Sequence, residues 1–247
     1  MLKPLPIPGL LVLGTDTGVG KTLVAGAIAD WFHRRGIRIA VCKPCGTGCV
    51  HRREGLVSED AEFLAHCADS PHPLDIVCPQ RFEEPLAPAV AAERAGTTVD
   101  WPAINQAIET MCSGSQAMII EGIGGIMTPM DRKFTFLDVA AWLRIPAIVV
   151  ARPGLGTINH TLLTVGVLRA AGVEVAGVVI NRYPADTPGV AEETNPRVIE
   201  QWGRTNVLCL VPEVNEAVKK HLPADVAAAI EQVDWAGLTR PGTARIP

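Results

Sequence analysis

Residues 10 to 26 read LLVLGTDTGVGKTLVAG. An apolar run, a turn of glycines and threonines, and then Lys21 and Thr22 opening a second apolar stretch is the strand, loop and helix order that a phosphate-cradling loop needs. The usual spacing, G-x-x-x-x-G-K-[ST], counts back from Gly20 to Thr15, so the first glycine is displaced by one place to Gly14. The flanking strand and helix make the match persuasive despite that shift, because loop N–H groups and a helix N-terminus then converge on one anion. Thr15, Asp16, Thr17, Gly18, Val19, Gly20, Lys21 and Thr22 form the expected nucleotide-binding run, with Lys21 bridging phosphate oxygens and the Thr22 hydroxyl on a magnesium ion.

Working outward, five more apolar runs recur: IRIAVCK (37–43), AMIIEG (117–122), PAIVVA (146–151), VAGVVIN (175–181) and VLCLVP (207–212). Runs that are apolar throughout predict strands buried on both faces. Between them, KTLVAGAIADWFHRRG, TFLDVAAWL and TINHTLLTVGVLRAAG carry apolar residues at helical spacing, and two of these end in Gly36 and Gly172, as helices commonly do. The pattern is α/β with a mainly parallel central sheet, and the loop makes it a P-loop NTPase-like, three-layer α/β/α fold. Residues 1–247 are expected to form a single ATP-binding domain, with 182–197 (RYPADTPGVAEETNPR) as a loop and 234–247 as a poorly ordered tail.

With 247 residues, 48% of them hydrophobic, and a formal net charge of -4, the chain has no basic surface to neutralise a nucleic-acid backbone. No run suits a signal-peptide core or a membrane span, which points to a cytoplasmic protein without a membrane partner. Seven cysteines suit reduced thiols better than a disulfide framework. Cys42, Cys45 and Cys49 are close enough in sequence to consider a metal or iron–sulfur site. Buried free thiols are the better reading.

Phosphoryl chemistry also needs a carboxylate at a strand end, and AMIIEGIGG supplies Glu121 there, either as a metal ligand or as a simple strand-end residue. Lys43 closes the second strand ahead of Thr47, beside the phosphate loop by the rule that ligands sit at strand carboxyl ends. A buried lysine without an anion would be costly. Asp60, in a first helical turn behind Ser58, is either a dipole-stabilising residue or a second metal carboxylate.

Taken in order, GTDTGVGKT, KPCGTG, SEDAEFL, EGIGG and GLGTINHTLLT resemble the dethiobiotin synthetase family of biotin biosynthesis, in which the displaced P-loop glycine is a shared trait. FEEPLAP and FTFLD fit it too, and the resemblance runs from about residue 10 to Pro212. It implies an ATP-dependent ligase with Mg2+ that closes a cyclic urea from 7,8-diaminononanoate and CO2, through a phosphorylated carbamate. It further implies catalytic roles for Lys21, Lys43 and Thr17, and metal ligation by Thr22, Asp60 and Glu121. Lys43 and Thr47 would bind substrate, as would Gly156, Thr157 and Asn159 acting from the other subunit of a homodimer. Asn181 and Pro212 would contact the nucleotide.

Two departures stand out. Ile123 replaces a small residue of the family's E-G-A-G-G, which implies a narrower crevice near the phosphates, and Cys209 lies where a glycine often precedes the closing proline. Partition-type ATPases share the fold but carry a second lysine where this chain has Asp16. An amidoligase with a glutamine-hydrolysing domain would need a longer chain. A P-loop small-molecule kinase and an ATP-switched binding protein remain as alternatives.

Overall fold

The computed structural model describes residues 1–53, 55–184, 186–214 and 221–242. Six parallel strands form the main sheet in the spatial order Val207–Pro212, Val175–Tyr183, Ala147–Ala151, Pro8–Gly14, Ala117–Glu121 and Ile39–Cys42. All six expected strands are present within two residues of their sequence bounds at either end. Strand pairing is set by register: Leu10 lies beside Ile119, and Leu11 beside both Ile120 and Ala147.

Alternation along each strand explains why the runs are apolar throughout. Leu10 and Val12 pack on one face with Val24, Ile28 and Phe32 of helix Lys21–His33, while Leu11 and Leu13 pack on the other with Ile104, Met111, Val139 and Leu168. Two apolar clusters with the sheet between them make three layers, α/β/α. The strand Pro8–Gly14 is where the chain's direction of winding reverses, with Ile39–Cys42 reached on one side and Ala147–Ala151 on the other. Such a switch point places a crevice at the carboxyl end of that strand.

Two expectations are corrected. Residues 182–197 are not a loop throughout: Val190–Gly203 is a helix with Pro196 inside it, buried along Asn195, Ile199 and Gly203. Proline costs a helical hydrogen bond, but Ile199 is fully buried in the core cluster and tertiary packing outweighs the local penalty. Nor is the tail from 234 to 242 disordered. Trp235–Leu238 is helical, Asp234 caps it by accepting from the Gly237 N–H, and the fully buried Trp235 donates its Nε1–H to the Ile230 carbonyl. Arg240–Pro241 then pairs antiparallel with Pro8–Gly9. Residues 243–247 of the expected tail lie outside the described residues. Among those described, no helix is long and apolar enough to cross a membrane.

Candidate active site

The displaced glycine has a steric cause. Thr15, just past the strand, still bonds to the sheet, donating its N–H to the Val150 carbonyl at 3.0 Å. Gly14 lies under the returning loop, where a Cβ would sit 2.9 Å from both the Asp16 carbonyl and Val19 Cγ2. Gly20 caps the first helix at φ 94°, and a Cβ there would fall 1.9 Å from Asn181 Nδ2. Asn181 thus lies directly against the loop, donating to the Val19 carbonyl at 2.9 Å. Its Oδ1 is buried without a hydrogen-bond partner.

Lys21 folds into this loop and donates to the carbonyls of Asp16 (3.0 Å) and Gly124 (2.8 Å). Burial, and secondarily the neighbouring Lys43 charge, lower its pKa to about 8. Two carbonyls are weak partners for an ammonium, and phosphate oxygens would be stronger ones.

On one side of the loop, toward the strands Ala117–Glu121 and Ile39–Cys42, lies a compact charged cluster. Lys43 Nζ donates to Glu121 Oε1 at 2.6 Å and to the Gly122 carbonyl at 3.2 Å, and stands 2.9 Å from Asp60 Oδ2. The Thr22 hydroxyl donates to the same Glu121 oxygen at 2.8 Å. Burial opposes the charge on Lys43, yet the facing Glu121 and Asp60 carboxylates hold its pKa above the ordinary lysine value. Glu121 is pushed upward by burial more than Lys43 pulls it down. Asp60, half-exposed, is also pushed up by burial, but the Lys43 charge and hydrogen bonds from Lys43 and Thr22 leave it below the usual range. Asp60 occupies the first turn of helix Glu59–Cys67, which Ser58 caps by accepting from the Ala61 N–H.

The oxygen set of Thr22, Asp60 and Glu121 fits magnesium. Glu121 Oε2 is a buried oxygen without a partner, and Mg2+ is commonly held by one or two carboxylates with phosphates and waters completing its shell. Among the described residues no three His, Cys, Asp or Glu side chains gather into a metal cage. Cys42, Cys45 and Cys49 are free, buried thiols whose pKa values burial pushes up. Thr47 ends the short strand Cys45–Thr47, half-buried, beside Phe82 of the strand Gln80–Phe82. Ile123, in place of the family's small residue, is partly buried and packs against the core cluster.

On the other side of the loop, toward Ala147–Ala151 and Val175–Tyr183, is an open cleft of about 380 Å³ lined by Thr15, Asp16, Arg152, Thr157, Arg182 and Glu213, among others. Gly156, at φ 92°, caps the helix Thr157–Ala170. Thr157 is buried with its Oγ1 unpartnered, and Asn159 is exposed. Pro212 closes its strand in register with Tyr183, at the rim next to Glu213. The structure therefore brings Thr15–Thr22, Lys43, Asp60 and Glu121 together, and sets Gly156, Thr157 and Pro212 along the opposite side.

A family model described as an AAA domain (AAA_26) matches residues 8–221. An ATP-dependent dethiobiotin synthetase BioD of Thermodesulfovibrio yellowstonii is 35% identical over 218 residues, covering 85% of this chain and 91% of that protein. Another of the same name, from Anaeromyxobacter dehalogenans, is 42% identical over 205 residues, covering 83% and 89%. The chain belongs to the ATP-dependent dethiobiotin synthetase family. Among solved structures, the MinD cell division protein of Aquifex aeolicus aligns with TM-score 0.56 at 14% identity, over 91% of this chain and 93% of that one, a likeness of fold alone.

Within this dethiobiotin synthetase fold, three contacts escaped the sequence reading. Arg152 donates to the Thr17 carbonyl at 3.0 Å and lies 3.8 Å from Asp16 Oδ2. Its place just beyond a parallel strand is the same signal that marked Lys43. The Gly124 carbonyl that receives Lys21 and the Asn195 amide that reaches Pro153 and Gly154 had no such signal.

Proposed function

We propose that this chain is an ATP-dependent dethiobiotin synthetase that closes the ureido ring of dethiobiotin from 7,8-diaminononanoate and CO2, releasing ADP and phosphate. The observation that carries the reading is Lys43, buried and charged beside the phosphate loop and flanked by the Thr22, Asp60 and Glu121 oxygens. Carbamate and γ-phosphate are both anions, and bringing them together demands fixed positive charge. Lys21 would grip the phosphates, Lys43 would meet the carbamate, and Thr17 and Thr47 would orient it. Magnesium, held by Thr22, Asp60 and Glu121, would neutralise developing phosphate charge.

In the reaction, CO2 adds to one amine with loss of a proton, giving the carbamate. A carbamate oxygen attacks the γ-phosphorus, and ADP leaves. The second amine then attacks the carbonyl carbon, releasing phosphate and a proton as the ring closes. Beyond charge, the residues contribute mainly positioning. Asn181, its amide pinned by the Val19 carbonyl, would accept from the adenine amine through Oδ1, with Pro212 at the rim.

The substrate carboxylate would bind at Gly156, Thr157 and Asn159 of the second copy in a homodimer. Within one chain the P-loop strand and the Ala117–Glu121 strand separate this turn from Lys43. Leu155 is 97% exposed and Leu163 is 60% exposed on the same segment, apolar surface suited to a second copy. Seven free cysteines support a reducing, cytoplasmic location.

The test supplies purified protein with MgATP, the diamine and carbon-13 bicarbonate. Labelled cyclic urea, formed one-for-one with ADP, is the expected result. A stable phosphorylated acceptor would instead make it a small-molecule kinase, and slow ATP turnover indifferent to the diamine would make it a switch.

A further inference from the structure

The turn from Arg152 to Gly156 is held from both ends. On the strand side Arg152 donates to the Thr17 carbonyl of the phosphate loop. On the other, Asn195 reaches from helix Val190–Gly203 and donates Nδ2–H to the carbonyls of Pro153 (2.7 Å) and Gly154 (3.2 Å). Asn195 is only 4% exposed, so this amide is a buried polar group committed to two backbone acceptors.

The Gly154 carbonyl also accepts from the Thr157 N–H at 3.2 Å. The helix therefore begins with its first donor already spent. The N–H groups of Ile158 and Asn159, with no carbonyl one turn earlier inside the helix, remain for a ligand. The Thr157 hydroxyl beside them is buried and unpartnered. Where the Gly154 carbonyl sits thus decides which donors face outward, and Asn195 decides where it sits.

We propose that Asn195 is a positioning residue for substrate-carboxylate recognition: it fixes the Pro153–Gly154 carbonyls so that the first turn of helix Thr157–Ala170 presents its free donors to the carboxylate. This rests on the carboxylate reading given under Proposed function. Asn195 touches no substrate, and its effect passes through the turn.

Asn195→Asp is nearly isosteric and places an acceptor opposite two carbonyls, while Asn195→Ala removes the donor and serves if the aspartate variant does not fold. Each is compared with Asn159→Ala on two substrates, 7,8-diaminononanoate and the carboxylate-free 7,8-diaminononane. The expected result is a KM for diaminononanoate raised at least tenfold, with kcat and the KM for ATP within about twofold and the KM for diaminononane unchanged. Asn195→Gln, which keeps the donor on a longer arm, should recover part of the loss.

Equal effects on both diamines, or a lower Tm without a change in selectivity, would overturn the inference and leave Asn195 a packing residue. If Asn159→Ala discriminates the two diamines and the Asn195 variants do not, the carboxylate reading stands and the role of Asn195 falls. If neither residue discriminates them, the carboxylate reading itself falls and takes the inference with it.

Discussion

The two sides of the phosphate loop are built on opposite physical terms. Toward Ala117–Glu121 the groups are buried and bound to one another: Lys43 and Glu121 are within hydrogen-bond distance, and their side chains are 4% and 1% exposed. Toward Val175–Tyr183 the charged groups stand in an open cleft, with the Arg152 and Asp16 side chains more than half exposed and 3.8 Å apart. A buried charge survives only when paired, so the first side is fixed before any ligand arrives. Exposed charges can rearrange cheaply. One side is organised before any ligand arrives, and the other keeps charged groups free to settle on a ligand when it binds.

That contrast predicts a gradient of mutational effects. Lys21→Ala should be the most severe, with ATP binding lost in calorimetry and turnover down by at least about 1000-fold, because the only ammonium inside the loop is removed. Lys43→Met should follow. It leaves Glu121 buried without its counter-ion, and chemical denaturation should report a loss of about 3 to 5 kcal/mol. Near-native stability in that variant would break the claim that this side is pre-paid by pairing.

Glu121→Gln and Thr22→Val should each raise the magnesium concentration for half-maximal activity by roughly tenfold or more, read from magnesium titrations at saturating ATP. An unchanged titration in both would remove them from the metal site. On the open side, Asn159→Ala should raise the KM for the diamine by about tenfold and leave stability within about 0.5 kcal/mol, as befits an exposed residue. The smallest effect belongs to Cys42, Cys45 and Cys49. Their triple serine variant should stay active if it folds, and the native protein should contain neither iron nor sulfide.

The same contrast governs what could be read from the sequence. Fully buried strands announce themselves as apolar runs, and residues such as Lys43 and Glu121 stand at their ends, where a charge is conspicuous. On the cleft side, the turn Pro153–Gly154 depends on a side chain that reaches across the fold from a helix. Asn195 sits in the proline-rich stretch 182–197, where local signals favour a loop and packing of Ile199 decides otherwise. Trp235 misled in the same way, since a tryptophan in a proline- and glycine-rich tail gives no periodicity, and its burial comes from long-range packing.

If the site is shared, the charged cluster of one chain works with the helix N-terminus of another. Lys43→Ala and Asn159→Ala homodimers, each impaired, are differentially tagged, mixed, unfolded and refolded together, and the diamine-dependent rate is measured. Two-fold symmetry gives each heterodimer one site with both defects and one with neither. With random assortment about half the dimers are mixed, so recovery to roughly a quarter of the native activity is predicted. No recovery in heterodimers verified by both tags would contradict it, and would mean that each chain builds its whole site alone.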